Sequence, residues 1–383
     1  MKIGFDAKRL FNNFTGLGNY SRFVVEALSR TYPKNDYWLY TPKARAHADV
    51  DALLRMPNVT TQLPHAAVNP LKLGSFWRSM HIAKHAHRND VQLFHGLSNE
   101  LPLSIPKGLK TVVTVHDLIF KRYPEFYNPV DVRIYSWKLH EACQSANRII
   151  AISEQTRQDI IHYLNIEAEK ISVVYQGCHP IFKQSYTEGE LNRVREKYEL
   201  PEKFILNVGT IESRKNALSL VKALVASGIR TPLIIVGKAT LYIRQIQDYI
   251  RLHHLEQQVR FIHTVAFSDL PLIYRAAQLF VYPSLFEGFG IPIVEAIASG
   301  VPVISSTGSC FSEAGGPDCV YVDPHDHQQL GLAIRKILDD PDKAQQMIEN
   351  SSVYIQRFEP RVIANELMQV YEGLVTHPAR TNS

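Results

Sequence analysis

Short apolar runs rich in Val, Ile, Phe and Tyr recur along the chain and alternate with longer stretches of helical periodicity. Most of these runs are continuously apolar, which is typical of strands that are covered on both faces. In the first half they predict strands at residues 2–5, 37–40, 59–63, 91–95, 111–115, 148–152 and 171–175. In the second half they predict strands at residues 203–208, 232–236, 259–265, 278–282, 302–305 and 319–322.

The helical patterns lie between these strands. They cover Asn19–Arg30, Val130–Ala146, Glu154–Leu164, Asn216–Ser227, Thr240–His253 and Ser268–Ala277, with two more near Pro341–Ile355 and Pro360–Leu374. Strand–helix alternation through both halves predicts an α/β fold class with parallel sheets built from βαβ units.

A domain boundary is indicated where the strand signals lapse after Gly177 and resume at Lys203. With 383 residues, the chain has the length of two domains of about 100–200 residues each. We therefore predict two doubly wound, Rossmann-like parallel-sheet domains, residues 1–182 and 183–355, facing each other across a cleft. The helix in residues 356–383 follows the last strand, and the sequence leaves open whether it packs back on the first domain.

Composition and charge exclude some classes of protein. Hydrophobic residues make up 45% and charged residues 21%, a balance that argues against disorder. The net charge of +5 is too small an excess to predict a nucleic-acid partner. Residues 1–90 nevertheless hold 13 Lys or Arg against 6 Asp or Glu, a net of +7. Any anionic partner, whether a membrane surface or a phosphorylated substrate, is therefore expected to meet the N-terminal part.

The cysteines and the N-terminus predict the compartment. Cys143, Cys178, Cys310 and Cys319 lie far apart without a C-x-x-C pair, as free thiols in a reducing compartment do. The acidic Asp6 comes too early for a signal peptide, and no apolar stretch approaches the ~18–20 residues of a membrane helix. We expect a cytoplasmic protein that is at most peripheral at the inner membrane face.

The loop after strand 278–282 is the strongest candidate for chemistry. It contains two glycines, Pro292 fits the first position of the next helix, and Gly300 fits the position past its end. Such a loop aims backbone N–H groups at one point, where a phosphate binds readily. Glu287 in the loop and Glu295 in the first helical turn suit the hydroxyls of a sugar and a ribose. The alternative is a solvated loop glutamate and a helix-dipole partner.

A second candidate follows strand 203–208. Arg214 and Lys215 place two cations just before a helix that Asn216 is predicted to cap. Guanidinium and ammonium groups beside a helix start predict a diphosphate clamp. An ordinary basic loop is the alternative.

The first half offers weaker signals. Gly16 and Gly18 precede the helix from Asn19 and permit close approach of a ligand, but Ser21 replaces the third glycine of a dinucleotide fingerprint. This departure disfavours an NAD-dependent oxidoreductase. His116 ends strand 111–115, where it could bind a sugar or a developing charge, or could simply pack or cap a helix.

A metal site is not predicted. Asp49 and Asp51 form a D-x-D pair, but they begin a predicted helix without a preceding strand, so solvated carboxylates are the better interpretation. The histidines lack acidic partners at metal-ligand spacing.

The segment Lys72–Arg88 can be laid out as one helix with an apolar side. Phe76, Trp77, Met80 and Ala83 lie on that side, flanked by basic residues. Both a membrane-surface helix and a core helix with a basic outer face fit this pattern.

Three motifs carry a resemblance to a known family. They are TGLGNY (15–20), NVGTIESRKN (207–216) and EGFGIPIVE (287–295). With them, the chain resembles the group 1 (family 4) retaining glycosyltransferases of the GT-B fold over essentially its whole length. VTVHDLIFKRYPE (113–125) and the opening FDAKRL are most similar to the mannosyltransferase branch, whose common donor is GDP-mannose.

The resemblance implies roles for matching residues. Arg214 and Lys215 would bind the donor diphosphate, Glu287 the transferred sugar, and Glu295 the nucleotide ribose, while His116 would meet the sugar from the opposite domain. Many relatives carry a separated Arg and Lys in this loop, whereas here the two are adjacent. The other positions implied at the donor are Gly16, Gly18, Gly209, Gly288, Phe289, Gly290 and Ile291.

The function implied is transfer of a hexose, by preference mannose from GDP-mannose, to a saccharide or lipid-linked acceptor with retention. The N-terminal domain would bind the acceptor and the C-terminal domain the nucleotide-sugar donor. Neither a metal nor a cofactor is expected. Two alternatives stay open: a nucleotide-sugar epimerase or hydrolase of the same fold, and a non-catalytic nucleotide-sugar-binding protein.

Overall fold

The chain divides into two compact units in the computed structural model, which describes residues 1–64 and 74–376. Unit 1 comprises Met1–Gly177 together with Pro360–Ser383, and unit 2 comprises Cys178–Glu359. The predicted divisions lay at 182/183 and 355/356, a few residues from these. Gly177 stays with unit 1, where it packs so closely on Phe23 that a Cβ would lie 1.8 Å from the ring. The second segment stays with unit 2 through Phe358, which packs on Phe289.

Unit 1 is built on a parallel sheet with the strand order β3-β2-β1-β4-β5-β6-β7. Its strands are β1 Lys2–Asp6, β2 Asp36–Tyr40, β3 Val59–Gln62, β4 Leu93–Gly96, β5 Lys110–Val115, β6 Arg148–Ala151 and β7 Ile171–Val173. The helices before the unit boundary are α1 Lys8–Asn12, α2 Gly16–Thr31, α3 Ala48–Leu54, α4 Gly74–Met80, α5 Ile82–Arg88, α6 Ile119–Arg122, α7 Pro129–Ser145 and α8 Glu154–Leu164.

Unit 2 repeats the architecture with the strand order β10-β9-β8-β11-β12-β13. Its strands are β8 Ile205–Val208, β9 Leu233–Val236, β10 Val259–Ile262, β11 Leu279–Tyr282, β12 Val303–Ser306 and β13 Val320–Val322. Its helices are α9 Glu188–Lys197, α10 Ala217–Ala226, α11 Ile243–Leu252, α12 Leu270–Ala276, α13 Ile291–Ala298, α14 Phe311–Gly315, α15 His327–Leu338 and α16 Pro341–Tyr354.

The chain ends in helix α17, Pro360–Thr376, which returns to unit 1 and packs against α2. Tyr371 of α17 is fully buried, and its hydroxyl lies 2.7 Å from Nδ1 of His95 in β4. Nε2 of His95 lies 2.8 Å from the Thr114 hydroxyl, which in turn contacts the Tyr20 hydroxyl at 3.1 Å. This buried chain of hydrogen bonds ties the last helix to the sheet and to α2.

Each sheet reverses its strand order at one point. In unit 2 the chain moves outward from β8 to β10 and then crosses back to place β11 on the other side of β8. In unit 1 the same reversal falls between β1 and β4. Doubly wound sheets bind ligands beyond the carboxyl ends of the strands at such a point. In unit 2 that position belongs to the loops after β8 and β11.

The prediction of an α/β fold with parallel sheets is confirmed, since every predicted strand is present with ends that differ by three residues at most. The apolar runs of the inner strands are buried, as in Leu233–Val236 of β9, because helices cover both faces of the sheet. The edge strands β3, β7, β10 and β13 are only partly buried. The predicted helices are also present. One of them, α2, begins at Gly16, three residues before the predicted start at Asn19.

The single helix predicted across Lys72–Arg88 is wrong where the structure describes the segment, from residue 74 onward. Helices α4 and α5 divide it at His81. Trp77 is 2% exposed and packs in a cluster with Tyr40 and Phe94, while Phe76 is 55% exposed. The four residues therefore do not share an apolar outer face, and Trp77 belongs to the core of unit 1. The Trp77 ring is therefore not available to a membrane surface.

None of the helices in the described ranges has the length and apolarity that crossing a membrane requires.

We expect Trp77→Ala to lower the free energy of unfolding by about 3–5 kcal/mol, because it empties a site in a packed cluster. Phe76→Ala, its exposed neighbour, should change that free energy by about 0.5 kcal/mol or less. Urea unfolding followed by circular dichroism measures both. Equal losses in the two variants would contradict the burial of Trp77.

Candidate active site

The loops after β8 and β11 lie against each other at the switch point of unit 2. The backbone N–H of Leu285 donates to the Arg214 carbonyl at 2.8 Å. Asn216 does not cap α10 as predicted: it adopts a left-handed conformation with φ 55°. Its side-chain amide instead donates to the carbonyls of Pro283 at 3.1 Å and Pro324 at 2.8 Å. The predicted capping residue therefore ties three loops together.

Gly209 begins the β8 loop with φ +153°, which favours glycine. Its carbonyl also lies so close to Gly237 that this second position must be glycine, although the sequence reasoning did not single it out. A Cβ on Gly237, which follows β9, would lie 1.8 Å from the Gly209 carbonyl oxygen. The β8 loop can take its path only because both positions lack side chains.

A charged cluster occupies the junction of the two loops. One Glu287 oxygen, Oε2, lies 2.8 Å from Nη1 of Arg214, and the other, Oε1, lies 2.5 Å from Nζ of Lys215. Nη1 of Arg214 also donates to the Phe286 carbonyl at 2.6 Å, and Nη2 lies 2.6 Å from Glu212. The structure thus brings Glu287 together with Arg214 and Lys215, which the sequence predicted as two separate candidates for chemistry.

Glu287 remains ionised despite its position in the interior of unit 2, where it is 8% exposed. Burial by itself would raise the pKa of this carboxyl, but Lys215 and Arg214 lower it to about 2. The partner effect is reciprocal, because the charges of Glu287 and Glu212 raise the pKa of Arg214 against the opposing effect of burial. Glu287 and Arg214 are therefore both charged at neutral pH.

Ser309, which the sequence reasoning missed, fixes the backbone of Glu287. Its hydroxyl accepts from the Glu287 N–H at 3.3 Å and donates to the Glu287 carbonyl at 3.1 Å. The Cys310 thiol reaches the same carbonyl at 3.2 Å. A Gly-Ser pair after the apolar strand β12 was the available signal, since it predicts a tight turn beside the neighbouring loop.

The start of α13 supplies backbone donors. Gly290 stands before the helix with φ 101°, which favours glycine, and Pro292 occupies the second helical position, one later than predicted. The N–H groups of Gly290 and Ile291 meet no acceptor in the described part of the chain. The Phe289 side chain is buried on Phe358. The loop Gly288–Ile291 thus has the geometry of an anion site at a helix start.

Glu295 lies in the second turn of α13 and not in the first as predicted, so it is not a helix-dipole partner. It is half-buried and accepts a hydrogen bond from the Tyr274 hydroxyl at 3.0 Å. Burial raises the pKa of the Glu295 carboxyl to about 7, and the bond from Tyr274 only partly opposes this. In contrast to Glu287, it has no cation beside it among the described residues.

His116 is buried in unit 1, and both of its ring nitrogens have partners there. Nε2 lies 2.9 Å from the Leu97 carbonyl, which only accepts, so Nε2 carries the proton. Nδ1 then accepts from the Gln176 amide at 3.2 Å. Burial lowers the pKa of the ring to about 4, so His116 is neutral at physiological pH. Its contact with a sugar stays a prediction.

Gly16 and Gly18 form the first turn of α2, and not a loop before it. A Cβ on Gly18 would lie 1.7 Å from the Asn13 carbonyl oxygen, whereas Gly16 has open space around it. Gly18 is therefore required by packing at the helix start, whatever else it binds. Roles for these glycines at a donor or acceptor stay predictions.

No group of three or more His, Cys, Asp or Glu that could hold a metal ion occurs in residues 1–64 and 74–376. Asp51 is exposed on α3, and the Asp49 side chain lies outside what the structure describes. The cysteines are free and buried.

We expect Glu295→Gln to raise the melting temperature at pH 8 and to leave it nearly unchanged at pH 4.5. The native carboxyl titrates near pH 7 and the unfolded one near 4.5, so the native state loses stability as pH rises between these values. Glutamine removes that loss and still accepts from Tyr274. Scanning calorimetry at the two pH values measures the difference, with the exposed Glu256→Gln as control. An equal shift at both pH values would contradict a raised pKa.

Two family models match the chain, one in each unit. The model described as Glycosyltransferase Family 4 matches residues 15–180, and that described as Glycosyl transferases group 1 matches residues 188–353. The O-antigen chain mannosyltransferase B of Escherichia coli is 29% identical over 358 residues, covering 89% of this chain and 91% of its own. The O-antigen chain mannosyltransferase RfbU of Salmonella typhimurium is 28% identical over 360 residues, covering 92% of this chain and 94% of its own.

Solved structures agree with the family models. Anabaena Alr3699/HepE in complex with UDP and glucose matches with a TM-score of 0.74 at 20% identity, covering 98% of this chain and 100% of that one. WaaG, a glycosyltransferase involved in lipopolysaccharide biosynthesis, matches with a TM-score of 0.70 at 17% identity, covering 97% and 100%. At these identities the likeness shows the fold alone. Together with the two family models, it shows that this chain belongs to the family 4, group 1 glycosyltransferases of the GT-B fold.

Proposed function

We propose that the protein transfers mannose from GDP-mannose to a saccharide or lipid-linked acceptor with retention and without a metal ion. The observation that carries this proposal is the cluster of Arg214, Lys215 and Glu287 beside the open start of α13. It stands where a doubly wound sheet binds its ligand. The two O-antigen mannosyltransferases support the sugar. Resemblance to the mannosyltransferase branch supports the nucleotide.

The cluster has N–H donors that could bind a diphosphate. Lys215 has three N–H groups, and among the described residues it donates to Tyr282 and Glu287 alone. The N–H groups of Gly290 and Ile291 add backbone donors at the helix start. Cleavage of the glycosyl–phosphate bond leaves negative charge on the diphosphate, which preorganised cations and N–H groups stabilise without a metal.

The Glu287 carboxylate has one hydrogen-bond acceptor site left for the sugar. An ionised carboxylate offers about four lone-pair sites, and Arg214, Lys215 and Tyr282 occupy three of them. The fourth, on Oε2, suits a single hydroxyl of the transferred hexose. Pairing with two cations also makes Glu287 a poor covalent nucleophile. We therefore favour attack by the acceptor on the face that the phosphate leaves.

The acceptor side of the proposal rests on unit 1. The net charge of +7 in residues 1–90 suits an anionic acceptor such as a lipid-linked diphosphate sugar, and a peripheral position at the inner membrane face would follow from it. Trp77 and Arg78 do not contribute to such a surface. Trp77 is buried, and Arg78 is paired with Asp6 at 2.6 Å and with Glu100.

We expect GDP-mannose at 100 Kd to stabilise the protein by about 2.7 kcal/mol over the ligand-free state, and UDP- or ADP-sugars at the same concentration to stabilise it less. Thermal shift ranks the donors, and NMR of the product formed on saccharide acceptors reports transfer and anomeric configuration.

Transfer should persist in excess EDTA. Complete loss in EDTA that Mg²⁺ restores would overturn metal independence. Release of free mannose in place of transfer would favour a hydrolase, and interconversion of free nucleotide sugars would favour an epimerase.

We expect Arg214→Ala and Lys215→Ala each to lower kcat by about 10²–10³, since each removes a preorganised charge at the leaving group. Lys197→Ala is the matched control, because Lys197 pairs with the carboxylate of Asp269 at 2.7 Å, outside the proposed site. Steady-state transfer assays measure all three variants. Turnover close to wild type in both site variants would place the diphosphate elsewhere.

A further inference from the structure

The hydroxyl of Tyr282 contacts the charged cluster of Arg214, Lys215 and Glu287. Tyr282 is the last residue of β11, and its side chain is 1% exposed. Its ring stacks on Phe280 at 5.8 Å and meets Phe311 edge-on at 6.3 Å. A buried tyrosine needs a partner for its hydroxyl. Here the hydroxyl lies between two charged residues, Lys215 and Glu287.

The direction of the hydrogen bonds at this hydroxyl follows from what each partner can donate. The ammonium of Lys215 lies 2.5 Å from the Tyr282 oxygen and can only donate, so the oxygen accepts. The phenolic proton is then free to donate to Oε1 of Glu287 at 3.1 Å. Since Lys215 also contacts Oε1 at 2.5 Å, the three groups form a closed triangle. Burial and the charge of Glu287 raise the pKa of the phenol, so it keeps this proton.

The triangle fixes the orientation of the ammonium group. Two of its three N–H groups point to Tyr282 and Glu287, so the direction of the third is set. Without the hydroxyl, Glu287 would be the single described acceptor of Lys215, and the ammonium could rotate about that one bond.

We propose that Tyr282 is a positioning residue for sugar transfer, which aims the third N–H of Lys215 at the donor diphosphate. This inference rests on the proposed function. It predicts that Tyr282 acts through Lys215, so its effect must disappear when Lys215 is absent.

The experiment is a double-mutant cycle of Tyr282→Phe and Lys215→Ala, read from kcat and the donor KM with GDP-mannose. Phenylalanine keeps the ring packing and removes only the hydroxyl. We expect Tyr282→Phe to lower kcat about tenfold, or ~1.4 kcal/mol in the barrier, and to change the donor KM threefold or less. The double variant should lie within threefold of Lys215→Ala. A kcat for Tyr282→Phe within twofold of wild type, or losses that multiply in the double variant, would overturn the proposal.

Unit 2 offers a matched control. Tyr198 donates to Asp269 at 3.0 Å, and the same carboxylate pairs with Arg193 at 3.0 Å and with Lys197. Tyr198→Phe thus removes a hydroxyl from another cluster of tyrosine, carboxylate, Arg and Lys. It should leave kcat within twofold of wild type. An equal loss in Tyr198→Phe would mean that Tyr282→Phe acts through general destabilisation.

If the proposed function is wrong, the wild-type protein will transfer no sugar from any nucleotide donor, and this result is distinct from failure of the positioning role. The same cycle is then read from GDP binding by calorimetry. Tyr282→Phe should weaken GDP binding about threefold when Lys215 is present and leave it unchanged in the Lys215→Ala background. An equal weakening in both backgrounds, or none in either, would overturn the positioning role.

Discussion

The pairing of the buried Glu287 carboxylate with Arg214 and Lys215 is the constraint on which the candidate site depends. A charge in the interior costs several kcal/mol unless it is paired and hydrogen-bonded. Glu287 comes from the β11 loop and both cations from the β8 loop, so their pairing requires these loops to lie together. The amide of Asn216 and the hydroxyl of Ser309 then hold the backbones of the neighbouring loops. The reversal of strand order, by bringing β8 beside β11, makes the pairing possible.

Much of the fold could be predicted from the sequence because the strands of a two-sided parallel sheet are continuous apolar runs. Their order in the sheet could not, since it is set by contacts between distant segments. The same distinction holds in the site. Glycines and charges after β8 and β11 marked the loops, but Lys215 and Glu287 are 72 residues apart, and their contact is visible only in the fold. Tyr282 counted as part of an apolar run, so its hydroxyl gave no signal.

Unit 1 shows that packing contributes to residues that the motifs singled out. The two glycines were expected to precede a helix, yet both lie in its first turn, and the Asn13 carbonyl leaves no space there for a side chain on Gly18. His116 was expected either to meet the sugar or to pack in the core, and the structure pairs both of its ring nitrogens, with Leu97 and Gln176. In each case the residue type was informative, but a neighbour that the sequence does not identify determines its packing. A glycine or histidine at a strand end therefore carries less weight than a pair of opposite charges at two strand ends.

The two glutamates of the β11–α13 segment lie eight positions apart, and their environments shift the pKa of their carboxyls in opposite directions. Cations lower the pKa of Glu287 to about 2, whereas burial beside a phenol raises that of Glu295 to about 7. Glu287 is therefore a fixed charge that orders the loops before any ligand binds. Glu295 is ionised only at some cost to stability near neutral pH, and hydroxyl donors from a ligand would offset that cost. One segment thus combines a carboxylate held charged by two cations with a carboxylate whose charge state depends on what binds beside it.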